Sequence, residues 1–163
     1  MRPYRGAGPQ DDHRRSGQRM GGWMAQARLL VLDDEATVGQ ILVMAAQAAG
    51  FEARCCEDLA GFTQTLVAWE PSHVVLDLGI PDTTPTQVLQ VLADARCQPQ
   101  VIFCSGAAPA DLQAALALAR QMGLRAAGVL AKPFRLAELR ALLAALPTDE
   151  DNVGHEPHRQ HPP

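Results

Sequence analysis

From Leu29 onward the chain alternates short apolar runs with longer segments in which apolar residues recur every three or four positions. Leu29 to Leu32 is an unbroken apolar run that stops at two aspartates, the pattern of a strand buried on both faces as it reaches a sheet edge. Val38, Ile41, Leu42, Ala45, Ala46 and Ala49 then fall at helical spacing, and Gly50 supplies a stop. Phe51 to Cys56 predicts a second strand, and Leu59, Phe62, Leu66 and Trp69 a second helix that Pro71 ends. Val74 to Leu76 reads as the third strand, again ending in an aspartate. Thr84, Pro85 and Gln87 form a helix start: a hydroxyl N-cap, a proline at the first helical position and a glutamine able to close a capping box. Val101 to Cys104 is the fourth strand, followed by a helix from about Pro109 to Met122 that Gly123 closes. Gly128 to Ala131 is the fifth strand, and Leu136, Leu139, Leu143 and Leu146 mark a last amphipathic helix.

Buried strands alternating with helices require right-handed crossovers and a parallel sheet covered on both faces. The predicted class is therefore α/β, a doubly wound five-stranded parallel sheet. Residues 28–146 form the expected domain. Residues 1–27 are rich in Gly and Arg with no hydrophobic period, and residues 147–163 are acidic, His-rich and Pro-rich, so both read as disordered tails. The folded pattern begins just after Met20 and Met24, either of which would serve as a start. His155, His158 and His161 do not share one helical face and lie among prolines, which argues against a preorganised metal site.

With 47% hydrophobic and 20% charged residues, 163 residues suffice for one ordinary core. A net charge of −4 creates no field that would attract nucleic acid or an anionic membrane, and no stretch has the length of a membrane span. Cys55, Cys56, Cys97 and Cys104 show no zinc or redox spacing. Reduced, mostly buried thiols in a soluble cytoplasmic protein are expected, with the adjacent Cys55 and Cys56 pointing to opposite faces of their strand.

Candidate chemistry gathers at the carboxyl ends of the strands. Asp33 and Asp34 follow the first, Asp77 the third, Ser105 the fourth and Lys132 the fifth, and in a parallel sheet these ends share one edge. Clustered carboxylates repel unless a cation neutralises them, and Mg2+ takes one or two carboxylates, a carbonyl and waters while readily adding a phosphate oxygen. Asp34 and Asp77 are the expected direct ligands, with Asp33 acting through water and the Gly79 backbone carbonyl completing the protein's share. Lys132, the only lysine in the chain, would balance a transferred phosphoryl group, and the Ser105 hydroxyl would hydrogen-bond to it.

The runs LLVLDDE, HVVLDLGIP, VIFCSG and GVLAKPF together resemble the response regulator receiver family of bacterial two-component signalling, over about residues 28–146. The resemblance implies the flavodoxin-like receiver fold. It implies Asp77 as the aspartate phosphorylated by a sensor histidine kinase or phosphotransfer protein, Asp33 and Asp34 as the acidic Mg2+ pair, Ser105 as the switch hydroxyl and Lys132 as the phosphate-contacting lysine. The implied protein is a stand-alone receiver that signals to a separate downstream protein effector. It is no enzyme beyond catalysing its own phosphorylation and dephosphorylation.

Val129 stands where many members carry an aromatic switch residue, and Asp82, Thr83, Thr84 and Pro85 replace a loop that commonly contains glycine. Gly79 and Ala107, at positions that often tune phosphoryl lifetime, lack side chains able to orient a hydrolytic water, so slow self-dephosphorylation is expected. The segment from Ser105 to Phe134, with LALARQMGL, is less specifically similar to receivers joined to cyclic-di-GMP phosphodiesterases. Two alternatives stand beside the phosphoacceptor: a receiver-fold binding module used without phosphorylation, and a magnesium-dependent aspartyl-phosphate phosphatase. The second lacks its usual DxD motif, because Leu78 and Gly79 follow Asp77.

Overall fold

Runs that are apolar on both faces can be satisfied only between two layers of helices, and that is where they lie. The computed structural model describes residues 26–145. In chain order the elements are β1 (Arg28–Leu32), α1 (Ala36–Ala48), β2 (Glu52–Cys56), α2 (Leu59–Trp69), β3 (His73–Leu76), α3 (Pro85–Asp94), β4 (Gln100–Ser105), α4 (Pro109–Gln121), β5 (Arg125–Ala131) and α5 (Leu136–Ala145). The strands form one parallel sheet in the order β2-β1-β3-β4-β5. Strand order reverses between β1 and β3, which opens a crevice beyond their carboxyl ends.

Alternation along the strands divides the core. Leu30, Leu32, Val74, Leu76, Val101 and Phe103 pack with Phe62 and Leu66 of α2, Val88, Leu89 and Leu92 of α3, and Leu112 and Leu116 of α4. Leu29, Val31, Val75, Ile102 and Cys104 face the other way, against Leu42, Ala45 and Ala46 of α1 and Leu139 and Leu143 of α5. Cys56 packs on the first cluster and Cys55 on the second, as neighbouring residues of a strand must. All four cysteines are free thiols.

The helix boundaries follow local chemistry. Asp58 caps α2 by accepting from Gly61 N at 2.7 Å. Thr84 and Gln87 close the expected capping box of α3, Thr84 Oγ1 accepting from Gln87 N at 3.3 Å while Gln87 Oε1 accepts from Thr84 N at 2.8 Å. Gly50 and Gly123 end α1 and α4 with φ of 92° and 77°, conformations open to a residue without Cβ. Asp82, in the loop after β3, also has positive φ, 56°, a region that Asp tolerates better than most residues.

β5 begins at Arg125, three residues before the apolar pattern places it. Arg125, Ala126 and Ala127 carry no strand signature of their own; pairing with β4 recruits them, with a register shift beside Val101 and Ile102. Gln26 and Ala27, assigned to the tail on composition, are tied to the β2 flank: Gln26 Nε2 donates to Gly50 O at 3.1 Å, and Ala27 O accepts from Glu52 N at 2.9 Å. The rest of the expected tails, Leu146 and the three C-terminal histidines lie outside the described residues.

Candidate functional site

Each candidate residue sits where a strand ends. Asp33 N donates to Cys56 O and Asp77 N to Leu32 O, so the sheet ladder continues through the first aspartate after β1 and after β3 and fixes their backbones at its rim. Ser105 is the last residue of β4, and its carbonyl accepts from Lys132 N at 2.9 Å. Lys132 follows β5 and precedes a cis peptide bond to Pro133.

These ends surround an open cavity of about 870 Å³. Asp34, Asp77, Gly79, Ser105 and Lys132 line it, together with Glu35, Ala107 and an apolar wall that includes Val38, Ile41, Phe134 and Leu136. Asp33 lies behind, 1% exposed, and joins the group through its carboxylate. Lys132 Nζ donates to Asp33 Oδ2 at 2.7 Å and to Asp77 Oδ2 at 3.2 Å, with Glu35 Oε1 farther off at 3.9 Å. The second oxygens are held by the backbone: Asp33 Oδ1 accepts from Glu35 N and Asp77 Oδ1 from Gly79 N, both at 2.9 Å.

Asp77 and Ser105 are buried, whereas Asp34 is exposed at the mouth. The structure thus brings together all six residues singled out from the sequence. Ser105 Oγ accepts from Ala107 N at 3.2 Å, closing a local turn just after β4.

Electrostatics set the resting state of the cavity. Burial alone would push the Lys132 ammonium toward losing its proton, but hydrogen bonds to Asp33 and Asp77, reinforced by their charges, outweigh it and raise its pKa. Cys104, adjacent in sequence to Ser105, is held as the thiol, because burial drives its pKa up to about 12 while the charge of Lys132 only partly offsets that. Oxygen atoms of Asp33, Asp34 and Asp77, one from each, all lie within 4.8 Å of one another. Three carboxylates against one ammonium leave negative charge uncompensated, and an all-oxygen donor set fits a hard divalent cation.

Glu35 also lines the cavity, a placement that sequence alone does not reveal. The signal was present as the third acidic residue in LLVLDDE, but only the fold carries its carboxylate to Lys132. The apolar wall from α1 and the start of α5 likewise assembles only in three dimensions.

The sequence model of the response regulator receiver domain matches residues 29–144. Among the curated proteins none matches. Solved structures similar to this chain include a response regulator from Colwellia psychrerythraea, at 23% identity and a TM-score of 0.65, covering 74% of this chain and 95% of that one. The chemotaxis response regulator CheY4 of Vibrio cholerae is similar at 18% identity and a TM-score of 0.63, covering 73% and 97%. A signal receiver domain from Bermanella marisrubri is similar at 24% identity and a TM-score of 0.61, again covering 73% and 97%. At these identities the structures speak for the fold, while the sequence match across most of the chain decides membership: this protein belongs to the response regulator receiver family.

Proposed function

We propose that this receiver accepts a phosphoryl group on Asp77 from the phosphohistidine of a sensor histidine kinase or phosphotransfer protein, and relays the change through protein contacts in the cytoplasm. The observation that carries the reading is one cavity where a buried carboxylate, a largely buried lysine and a buried hydroxyl converge from three strand ends.

Asp34, Asp77 and the Gly79 carbonyl would hold Mg2+ directly, and Asp33 through water. When bound, the ion supplies positive charge beside the transferred phosphoryl group and relieves repulsion among the carboxylates. Asp77 is the nucleophile. Gly79 N–H on Oδ1 and Lys132 on Oδ2 fix its carboxylate plane at the cavity floor. One carboxylate oxygen attacks phosphorus in line with the P–N bond, whose electron pair departs on the imidazole nitrogen, leaving an aspartyl phosphate.

Lys132 then faces the added charge. Ser105 Oγ uses a lone pair to accept from Ala107 N, which leaves its own proton free to donate to a phosphoryl oxygen. Drawing Ser105 toward that oxygen moves the loop that carries Ala107 and the start of α4. Val129, half-buried in β5, offers no ring to follow this motion, so the relay runs through the loop and α4.

The test is intact mass after incubation with Mg2+ and acetyl phosphate, comparing wild type with Asp77→Asn. One phosphoryl group gained by wild type alone supports the reading. A wild type that gains none, and whose spectrum does not respond to a beryllium fluoride mimic, is instead a binding module. Continued turnover of excess phosphate ester would mark a phosphatase.

A further inference from the structure

Glu35 is anchored by its backbone, while its carboxylate makes only a loose ion pair with Lys132. Its N–H donates to Asp33 Oδ1 at 2.9 Å and its carbonyl accepts from Gly39 N at 3.0 Å, so its Cα is pinned between the acidic pair and the first turn of α1. Its side chain is 66% exposed and lines the same cavity as Asp77 and Lys132. The gap of 3.9 Å to Lys132 Nζ exceeds hydrogen-bonding distance, and the lysine is already engaged by Asp33 and Asp77. The charge of Glu35 is therefore largely unspent at the mouth, where a donor's leaving group must stand. Among the described residues, Lys132 is the one cationic side chain lining that cavity.

Leaving groups differ in charge. In phosphoramidate, as in a phosphohistidine with its ring protonated, the P–N bond breaks with its electron pair returning to a nitrogen that began cationic, releasing neutral ammonia or imidazole. In acetyl phosphate the P–O bond breaks with its pair on an oxygen that leaves as acetate, so negative charge grows near the mouth. In each case the new bond is from an Asp77 oxygen to phosphorus, and the same metaphosphate equivalent is transferred. A fixed carboxylate at the mouth therefore disfavours the second kind of donor more than the first, whose leaving nitrogen brings one more positive charge.

We propose that Glu35 sets the donor preference of this site, selecting phosphoryl donors with a cationic leaving nitrogen over acyl phosphates. This rests on the reading of Asp77 as phosphoacceptor. The two small donors differ by one unit of net charge. At about 5 Å in a water-like dielectric that difference is worth about three- to fourfold in relative rate at 0.01 M salt, and about 1.3-fold at 1 M, where the Debye length is about 3 Å.

The experiment measures apparent second-order phosphorylation rates with phosphoramidate and with acetyl phosphate, at saturating Mg2+, for wild type, Glu35→Gln and Glu35→Lys, in low and in 1 M salt. The phosphoramidate-to-acetyl-phosphate ratio should fall about three- to fourfold in Glu35→Gln and about tenfold in Glu35→Lys, with both changes shrinking toward one in high salt. A merely structural role for Glu35 changes both donors equally and survives salt; that result, or an unchanged ratio in a reactive wild type, overturns the proposal. A wild type inert to both donors overturns the phosphoacceptor reading itself.

Discussion

Replacing Lys132 with methionine removes the ammonium while keeping most of the side-chain volume, so the change reports on charge. In the folded protein Asp33 is 1% exposed and Asp77 6%, and each gives one oxygen to Lys132. Removing one partner of a fully buried ion pair costs about 3–5 kcal/mol, because the other charge is left buried and unpaired. The cavity is open and the Lys132 side chain is 15% exposed, so part of that penalty is relieved by water. A loss of about 2–3 kcal/mol follows, or roughly 8–12 °C in Tm for a domain of this size.

The pH dependence has a definite sign. Because the folded protein raises the pKa of Lys132 above its ordinary 10.5, the stabilisation is fully present below that value and is lost as pH rises through the higher folded pKa. Urea unfolding in metal-free buffer should therefore show a constant gap between wild type and Lys132→Met from pH 7 to 9, narrowing at pH values above 10.5. Adding Asp77→Asn should reduce the cost of Lys132→Met, since one of the two orphaned carboxylates is then gone. Equal stability of wild type and Lys132→Met at pH 7 would refute the role of Lys132 as counter-ion.

Three further outcomes are expected. Thr84→Ala should lose the capping box of α3 and about 1 kcal/mol in denaturant unfolding, with Thr84→Ser retaining most of it. Cys104, with its thiol raised to about 12 by burial, should resist alkylation at pH 8 in the native protein and react only on unfolding, as read by peptide mass. Phosphorylated protein in Mg2+ should decay over minutes or longer, because Gly79 and Ala107 present no polar side chain to an attacking water. Gly79→Asn, whose Cβ would sit 3.5 Å from Asp77 Oδ1 in ordinary contact, should change that decay rate, and a wild-type half-life of seconds would contradict the reasoning.

Strands buried on both faces were legible because their apolar runs are unbroken, as in Leu29–Leu32 and Val101–Cys104, and each ends at a polar residue on the sheet rim. The start of α3 was legible because capping is local chemistry carried by Thr84, Pro85 and Gln87. The first three residues of β5 were not, since Arg125, Ala126 and Ala127 become strand only by pairing with β4. The membership of the polar cluster could be inferred from strand ends alone, but its wiring could not. That Lys132 bonds both Asp33 and Asp77, that Ser105 Oγ faces Ala107 N, and that Glu35 overlooks the cavity all depend on side-chain placement across long sequence separations.

The central claim is that Asp77 carries the phosphoryl group. An acyl phosphate is reduced by borohydride to an alcohol, which at an aspartate leaves homoserine. Treating the phosphorylated protein with borohydride and sequencing its peptides by mass spectrometry should find homoserine at position 77, dependent on Mg2+ and on the phosphodonor. Homoserine at another carboxylate, or none in protein that has gained a phosphoryl group, would contradict the account.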